Sequence, residues 1–170
     1  MRLFLCAVTL LLLLSGCQEE AGIPAPEKLT RDATGFYCHM IVEDHPGPKA
    51  QLFEKGRARA IWFTSVRDAF AYNILPGEGQ GVQVIYVQDM GRANSWKKPQ
   101  NDGLWIRAED GFYVIDSHKR GGMGAKETVP FSSREAADKF AGDFGGRVVT
   151  FANIPPDYLL GDSGEYNAEN

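Results

Sequence analysis

The sequence predicts an α+β fold built from two similar small ββαβ modules. Short β-rich runs and helical stretches alternate in the order strand, strand, helix, strand, and that order occurs twice. The two helix starts also match, Phe63-Thr64-Ser65 in one half and Phe131-Ser132-Ser133 in the other, each leading to an Arg and then alanines. A chain of 170 residues with 44% hydrophobic content can bury a core of that size. Lys and Arg number 18 against 22 Asp and Glu, with no basic block, which argues against a nucleic-acid partner.

The first element is an address. Arg2 precedes the apolar run Leu3–Leu14, which has the length of a signal-peptide core and is too short to span a bilayer. Ser15 and Gly16 stand directly before Cys17, a pattern that resembles the bacterial lipobox, in which the cysteine is acylated and the chain is cut before it. Residues 1–16 therefore read as a lipoprotein signal peptide, with Cys17 as the lipidation site and membrane anchor. No Asp follows Cys17 directly, which by resemblance to bacterial sorting rules favours the outer membrane, facing the periplasm. Residues 17–33 are polar, carry Pro24 and Pro26, and read as a flexible tether.

The first module is expected over 34–95. Ala50–Phe53 and Ala58–Phe63 are β-rich, Thr64-Ser65 supply a helix cap, and the helix runs to Leu75 before Pro76-Gly77. Val82–Val87 reads as a buried strand. A loop follows from Asp89 to Gly103, and the second module is expected over 96–160. There Leu104–Ala108 and Phe112–Asp116 predict a hairpin around Asp110-Gly111, a strong turn pair. A glycine loop, Gly121-Gly122-Met123-Gly124, precedes a helix opening at Ser132 with Glu135 as its capping-box partner. The helix stops at Gly145-Gly146, and Arg147–Phe151 is the last strand. Residues 161–170 read as a loose acidic tail. Trp62, Phe63, Phe70, Tyr72, Trp96 and Trp105 are read as core.

Cysteine usage points to the chemistry. With Cys6 in the signal and Cys17 lipidated, Cys38 is a lone thiol in an exported chain, where cysteines are normally paired. If Phe36–Val42 is extended, Cys38 and Met40 share a face and His39 points away. Thiolate plus thioether is a soft pair that selects Cu(I) over hard cations. Paired zinc spacings are absent. His45, in the turn His45-Pro46-Gly47-Pro48, could fold back as a third ligand or stay solvated, and His39 could serve only if the segment is not extended. Met123, flanked by glycines, is either a soft ligand or a gap-filler. His118 reads as a surface residue. Two rival readings remain open: Cys38 as the nucleophile of a lyase or thiol enzyme, and Cys38 as an inert buried thiol of a structural lipoprotein.

The assembled motifs resemble those of NosL, the copper-binding accessory lipoprotein family of bacterial nitrous oxide reductase. The resemblance rests on the lipobox, Tyr37-Cys38-His39-Met40, His45-Pro46-Gly47-Pro48-Lys49-Ala50-Gln51, Gly121-Gly122-Met123-Gly124-Ala125 and Pro130-Phe131-Ser132. It implies a carrier, not an enzyme, that binds one Cu(I) and passes it to an ABC-type maturation complex and the apo-reductase, whose centre is a copper–sulfide cluster. It implies a fold of two ββαβ modules similar to that of organomercurial lyases. It also implies Cys38 and Met40 as the heart of the copper site, with His45 and Met123 as further ligands.

Overall fold

In the computed structural model, residues 22–161 are described. The lipobox, Cys17 and the tail from 162 onward lie outside the described residues. The first ββαβ unit comprises β1 (Ala50–Glu54), β2 (Ile61–Phe63), α1 (Val66–Ile74) and β3 (Val82–Gln88). Strand periodicity puts Ala50, Leu52, Ile61, Phe63, Ile85 and Val87 against α1, where Val66, Ala69 and Phe70 meet them. Phe53, Val84 and Tyr86 point to the opposite face. Both faces of this sheet are buried, and its central strands accordingly read as nearly continuous apolar runs.

The opposite face is covered by residues expected to be tether. The Tyr86 hydroxyl donates to the Pro24 carbonyl at 2.8 Å, and Gln51 exchanges two hydrogen bonds with the Glu27 backbone. Leu29 is 2% exposed in a cluster with Val42 and Trp62. Packing therefore begins near Pro24, earlier than the polar composition suggested.

β4 (Trp105–Arg107) departs from the expected hairpin. It pairs with β3, Tyr86 opposite Arg107 and Gln88 opposite Trp105, and completes a four-stranded antiparallel sheet in the order β2-β1-β3-β4. At Ala108–Asp110 the chain makes a 3-10 turn, and Gly111 has φ −88°, not the positive φ of a hairpin turn. The glycine serves a close approach instead. A Cβ there would lie 2.8 Å from the Tyr113 hydroxyl, which donates to the Ala108 carbonyl.

The second ββαβ unit is therefore β5 (Phe112–Ile115), β6 (Val129–Phe131), α2 (Arg134–Phe144) and β7 (Arg147–Thr150), its strands ordered β6-β5-β7. β6 contains Pro130, tolerated because the strand lies at the sheet edge. The glycine loop thus lies inside the β5–β6 hairpin. A short helix, α3 (Pro156–Leu160), follows and sends Leu159 into the core. Phe70 of α1 packs edge-on against Tyr113 and Phe151 with centroids 5.3 and 4.9 Å apart, so the two units share one core.

Candidate metal centre

β2 ends at Phe63 and α1 begins at Val66, with Ser65 as N-cap accepting the Asp68 N–H. Thr64 sits at this junction, 3% exposed. Three segments converge on it, and each carries a residue singled out in the sequence.

The first segment is Gly35–Met40, which is a tight loop and not a strand. The Gly35 N–H donates to the Met40 carbonyl at 2.9 Å, and the His39 N–H donates to Gly35 at 2.9 Å. His39 adopts φ +54° to close it. Phe36 and Tyr37 hold the loop by packing edge-on or tilted against Phe63 and Tyr72. The alternation rule therefore does not operate between Cys38 and Met40. Cys38 is half-buried, its sulfur 3.8 Å from the Thr64 hydroxyl. That sulfur occupies the space beside Gly35, where a Cβ would approach it to 2.6 Å. Met40 is 42% exposed. His39 instead lines a cleft of about 680 Å³ with Tyr37, Arg57 and Trp62, which neither Cys38 nor Met40 lines.

The second segment is the turn at His45. Its Nδ1 lies 3.0 Å from the Gly122 carbonyl oxygen. A carbonyl can only accept, so Nδ1 carries the proton and the Nε2 lone pair is left for another partner. Metal-binding histidines commonly have this arrangement, because the outer hydrogen bond fixes tautomer and ring orientation. The turn is anchored by the Gly47 N–H on the Trp96 carbonyl at 2.8 Å.

The third segment is the glycine loop. Gly122 presses against Thr64 so closely that a Cβ would lie 2.6 Å from the Thr64 carbonyl oxygen and 3.0 Å from the His45 Cβ. Met123 follows it, 51% exposed. Cys38 and Gly122 thus both meet Thr64, and His45 meets Gly122, so residues up to 85 positions apart in the chain are brought to one place. His118 is exposed.

Two buried charges lie behind the loop. Glu127 is 1% exposed, and burial pushes its carboxyl up to about 7. Lys49 is 2% exposed, with its ammonium donating to the Pro46 and Gly47 carbonyls. Burial pulls Lys49 down to about 8, while the charge of Glu127 opposes the shift. Nearer the surface, burial and a 2.6 Å hydrogen bond to Glu78 raise the Tyr37 hydroxyl above its ordinary range.

The sequence reading missed Thr64, seen only as part of a helix start, and Glu127, seen only as one acid among many. A polar residue preceding a matching helix start in each half was the one available signal for Thr64. Among the described residues no three of His, Cys, Asp and Glu converge into a cage for a hard or borderline ion. The donors this site can offer are a thiol, thioethers and a neutral imidazole nitrogen, a soft and weakly charged set.

A family model for NosL matches residues 26–159. The copper-binding lipoprotein NosL of Achromobacter cycloclastes is 46% identical over 159 residues, covering 92% of this chain and 82% of the relative. The copper-binding lipoprotein NosL of Stutzerimonas stutzeri is 34% identical over 153 residues, covering 88% and 78%. The crystal structure of the copper chaperone NosL from Shewanella denitrificans superposes with a TM-score of 0.71 at 28% identity, covering 76% of this chain and 95% of that one. The solution structure of apo-NosL from Achromobacter cycloclastes gives 0.50 at 46% identity, covering 65% and 87%. With the family model spanning most of the chain and relatives 46% and 34% identical over most of their length, the chain belongs to the NosL family.

Proposed function

We propose that this protein is a Cu(I) carrier held at a membrane surface by lipid on Cys17. Cys38 supplies the thiolate, Met40 and Met123 supply thioethers, and His45 offers Nε2. The observation that carries this reading is the convergence on Thr64, with His45 Nδ1–H committed to the Gly122 carbonyl. The relatives' description as copper-binding lipoproteins supports it. Among the described residues no helix is long and apolar enough to cross a membrane, which fits a lipid anchor. The outer membrane, facing the periplasm, is the proposed location.

A carrier must hold its ion against stray thiols and still release it. One thiolate with neutral co-ligands leaves the ion under-coordinated, so an incoming partner ligand can bind before the old ones leave. Met40 and Met123 are both about half exposed, which allows such an approach. By family resemblance the recipients are the nitrous oxide reductase apo-enzyme and its ABC-type maturation complex, where the ion enters the copper–sulfide centre.

The test is an anaerobic Cu(I) titration against a chromogenic competitor, using a soluble chain beginning at Gln18. One-to-one binding is expected in wild type and not in Cys38→Ser. Affinity should fall with falling pH, because protons compete for the thiolate. Wild-type protein that takes no copper from the competitor sinks the proposal.

A further inference from the structure

We propose that Thr64 is a positioning residue for the copper site: its buried hydroxyl donates to the Cys38 sulfur and holds that ligand beside the loop that carries Met123. The inference rests on the Cu(I) reading for its consequence but not for its geometry. The hydroxyl oxygen lies 3.8 Å from the sulfur, a separation that the larger radius of sulfur allows. Thr64 is 3% exposed, and among the described residues the Cys38 sulfur is the only hydrogen-bonding partner of its hydroxyl. The converse also holds among those residues, since nothing else there hydrogen-bonds the sulfur. A buried hydroxyl without a partner is costly, and a metal-bound thiolate can only accept, so in the loaded site the hydroxyl is the donor.

Packing leaves Thr64 little freedom to do otherwise. A Cβ at Gly122 would lie 2.6 Å from the Thr64 carbonyl oxygen and 3.3 Å from the Thr64 Cβ, so the glycine loop presses on both. The Thr64 methyl and the Cys38 sulfur share the space beside Gly35, at 3.2 and 2.6 Å from where a Cβ there would stand. A β-branched side chain is stiff at χ1, so a methyl packed in that space also fixes the hydroxyl. One residue therefore lies against Gly35, Cys38 and Gly122, and Gly122 is both the acceptor for His45 Nδ1 and the neighbour of Met123.

The consequence for metal follows from charge. Copper binding to a thiol releases its proton and leaves negative charge on sulfur. A hydroxyl donating to that sulfur offsets the charge and fixes the direction of the remaining lone pairs. The other donors of the site, two thioethers and a neutral imidazole nitrogen, cannot do this. Outer hydrogen bonds that orient ligands carry about ten- to a hundredfold in metal affinity.

The test compares Thr64→Val, which keeps the branched shape and removes the hydroxyl, with Thr64→Ser, which keeps the hydroxyl and removes the methyl. Cu(I) affinity is measured by competition at about pH 6.5, below the ordinary ionisation of a free thiol. Thr64→Val is expected to bind about tenfold more weakly than wild type, and Thr64→Ser close to wild type. In Thr64→Val the sulfur-to-copper charge-transfer absorption should move to longer wavelength, because losing the donor raises the sulfur lone pairs. Thr64→Ala against Thr64→Ser repeats the comparison without the methyl, so that the hydroxyl alone is read. An unmoved band, equal losses in Val and Ser, or wild-type affinity in Val overturns the proposal. A metal-free arm separates this from the copper reading: alkylation of Cys38 by iodoacetamide at about pH 10, where thiols are ionised. A hydrogen-bonded thiolate is the weaker nucleophile, so Thr64→Val should react several-fold faster than wild type and Thr64→Ser at the wild-type rate. Wild type that takes up no copper would remove the proposed function, whereas equal alkylation rates in all three would overturn the hydrogen bond itself.

Discussion

Gly35 and Gly122 flank Thr64, and a methyl group at each would do different damage. At Gly35 the obstacle is the Cys38 sulfur, the end of a rotatable side chain, 2.6 Å from the new Cβ. Gly35→Ala should therefore cost less stability than Gly122→Ala, because the sulfur can swing away and only the Thr64 methyl, 3.2 Å from the new Cβ, must give, yet weaken Cu(I) binding by at least about tenfold. At Gly122 the obstacle is the Thr64 carbonyl, 2.6 Å away and fixed in the backbone. Gly122→Ala should lose about 1–3 kcal/mol of stability as well as affinity, since overpacking there displaces main chain. Denaturant melts and competitor titrations on both variants measure the two effects separately. Equal stability losses would show that the sulfur is as fixed as the carbonyl and would remove the distinction. Gly35 was not legible as a site residue, because nothing local marks a position whose importance is a neighbour's proximity, whereas Gly122 was read only as a flank of Met123. Cys38 and Met123 were singled out from the sequence, the one as an unpaired thiol and the other by its glycine flanks, and the structure places Cys38 and the Met123 loop beside Thr64.

The two serines before α2 show how far local reading reaches and where it stops. The capping pattern announced a helix start at Ser132, but the N-cap is Ser133, whose side chain accepts the Ala136 N–H at 3.1 Å. Ser132 donates to the buried carboxylate of Asp89 at 2.6 Å, which also receives the Arg92 guanidinium and the Gly91 N–H. Burial alone would raise the Asp89 pKa, but these hydrogen bonds outweigh it and hold it below its ordinary value. Ser133→Ala should cost about 1 kcal/mol at any pH. Ser132→Ala should cost stability mainly above the ordinary Asp range, the loss shrinking as acid protonates Asp89. Melts of both variants at about pH 3 and about pH 7 check this, and a Ser132→Ala loss independent of pH would refute it. The elements that were legible carry their own instructions: periodicity in β1 and β3, caps before α1 and α2, glycines after α2. β4 was assigned the wrong partner because pairing with β3 is a non-local choice that Asp110-Gly111 does not reveal. β6 was missed because three residues including Pro130 make a weak strand signal, and α3 because it has five. The Cys38 loop looked extended because its aromatic and β-branched residues favour strands, whereas here the rings anchor a turn.

Across the whole molecule, the second half lends β4 to the first sheet and Tyr113 to the first core, so the repeated units are packed around shared residues. Their seam holds the two most unfavourably buried charges, Glu127 and Lys49, and these shape stability as a function of pH. The folded-state value of Glu127, about 7, lies above its ordinary 4.5, so the folded chain binds more protons between them. Its contribution is fully present below the ordinary value and is lost as pH rises through about 7. Lys49, lowered from 10.5 to about 8, works in the other direction: the folded chain binds fewer protons in that window, and stability returns as pH rises through it. Together the pair predicts a trough of stability between about 7 and about 8, with walls on the order of 1–3 kcal/mol. Chemical denaturation across this range should show it. Glu127→Gln should flatten the acidic wall and Lys49→Met the alkaline one, whereas a stability plateau through neutral pH in wild type would contradict both assignments.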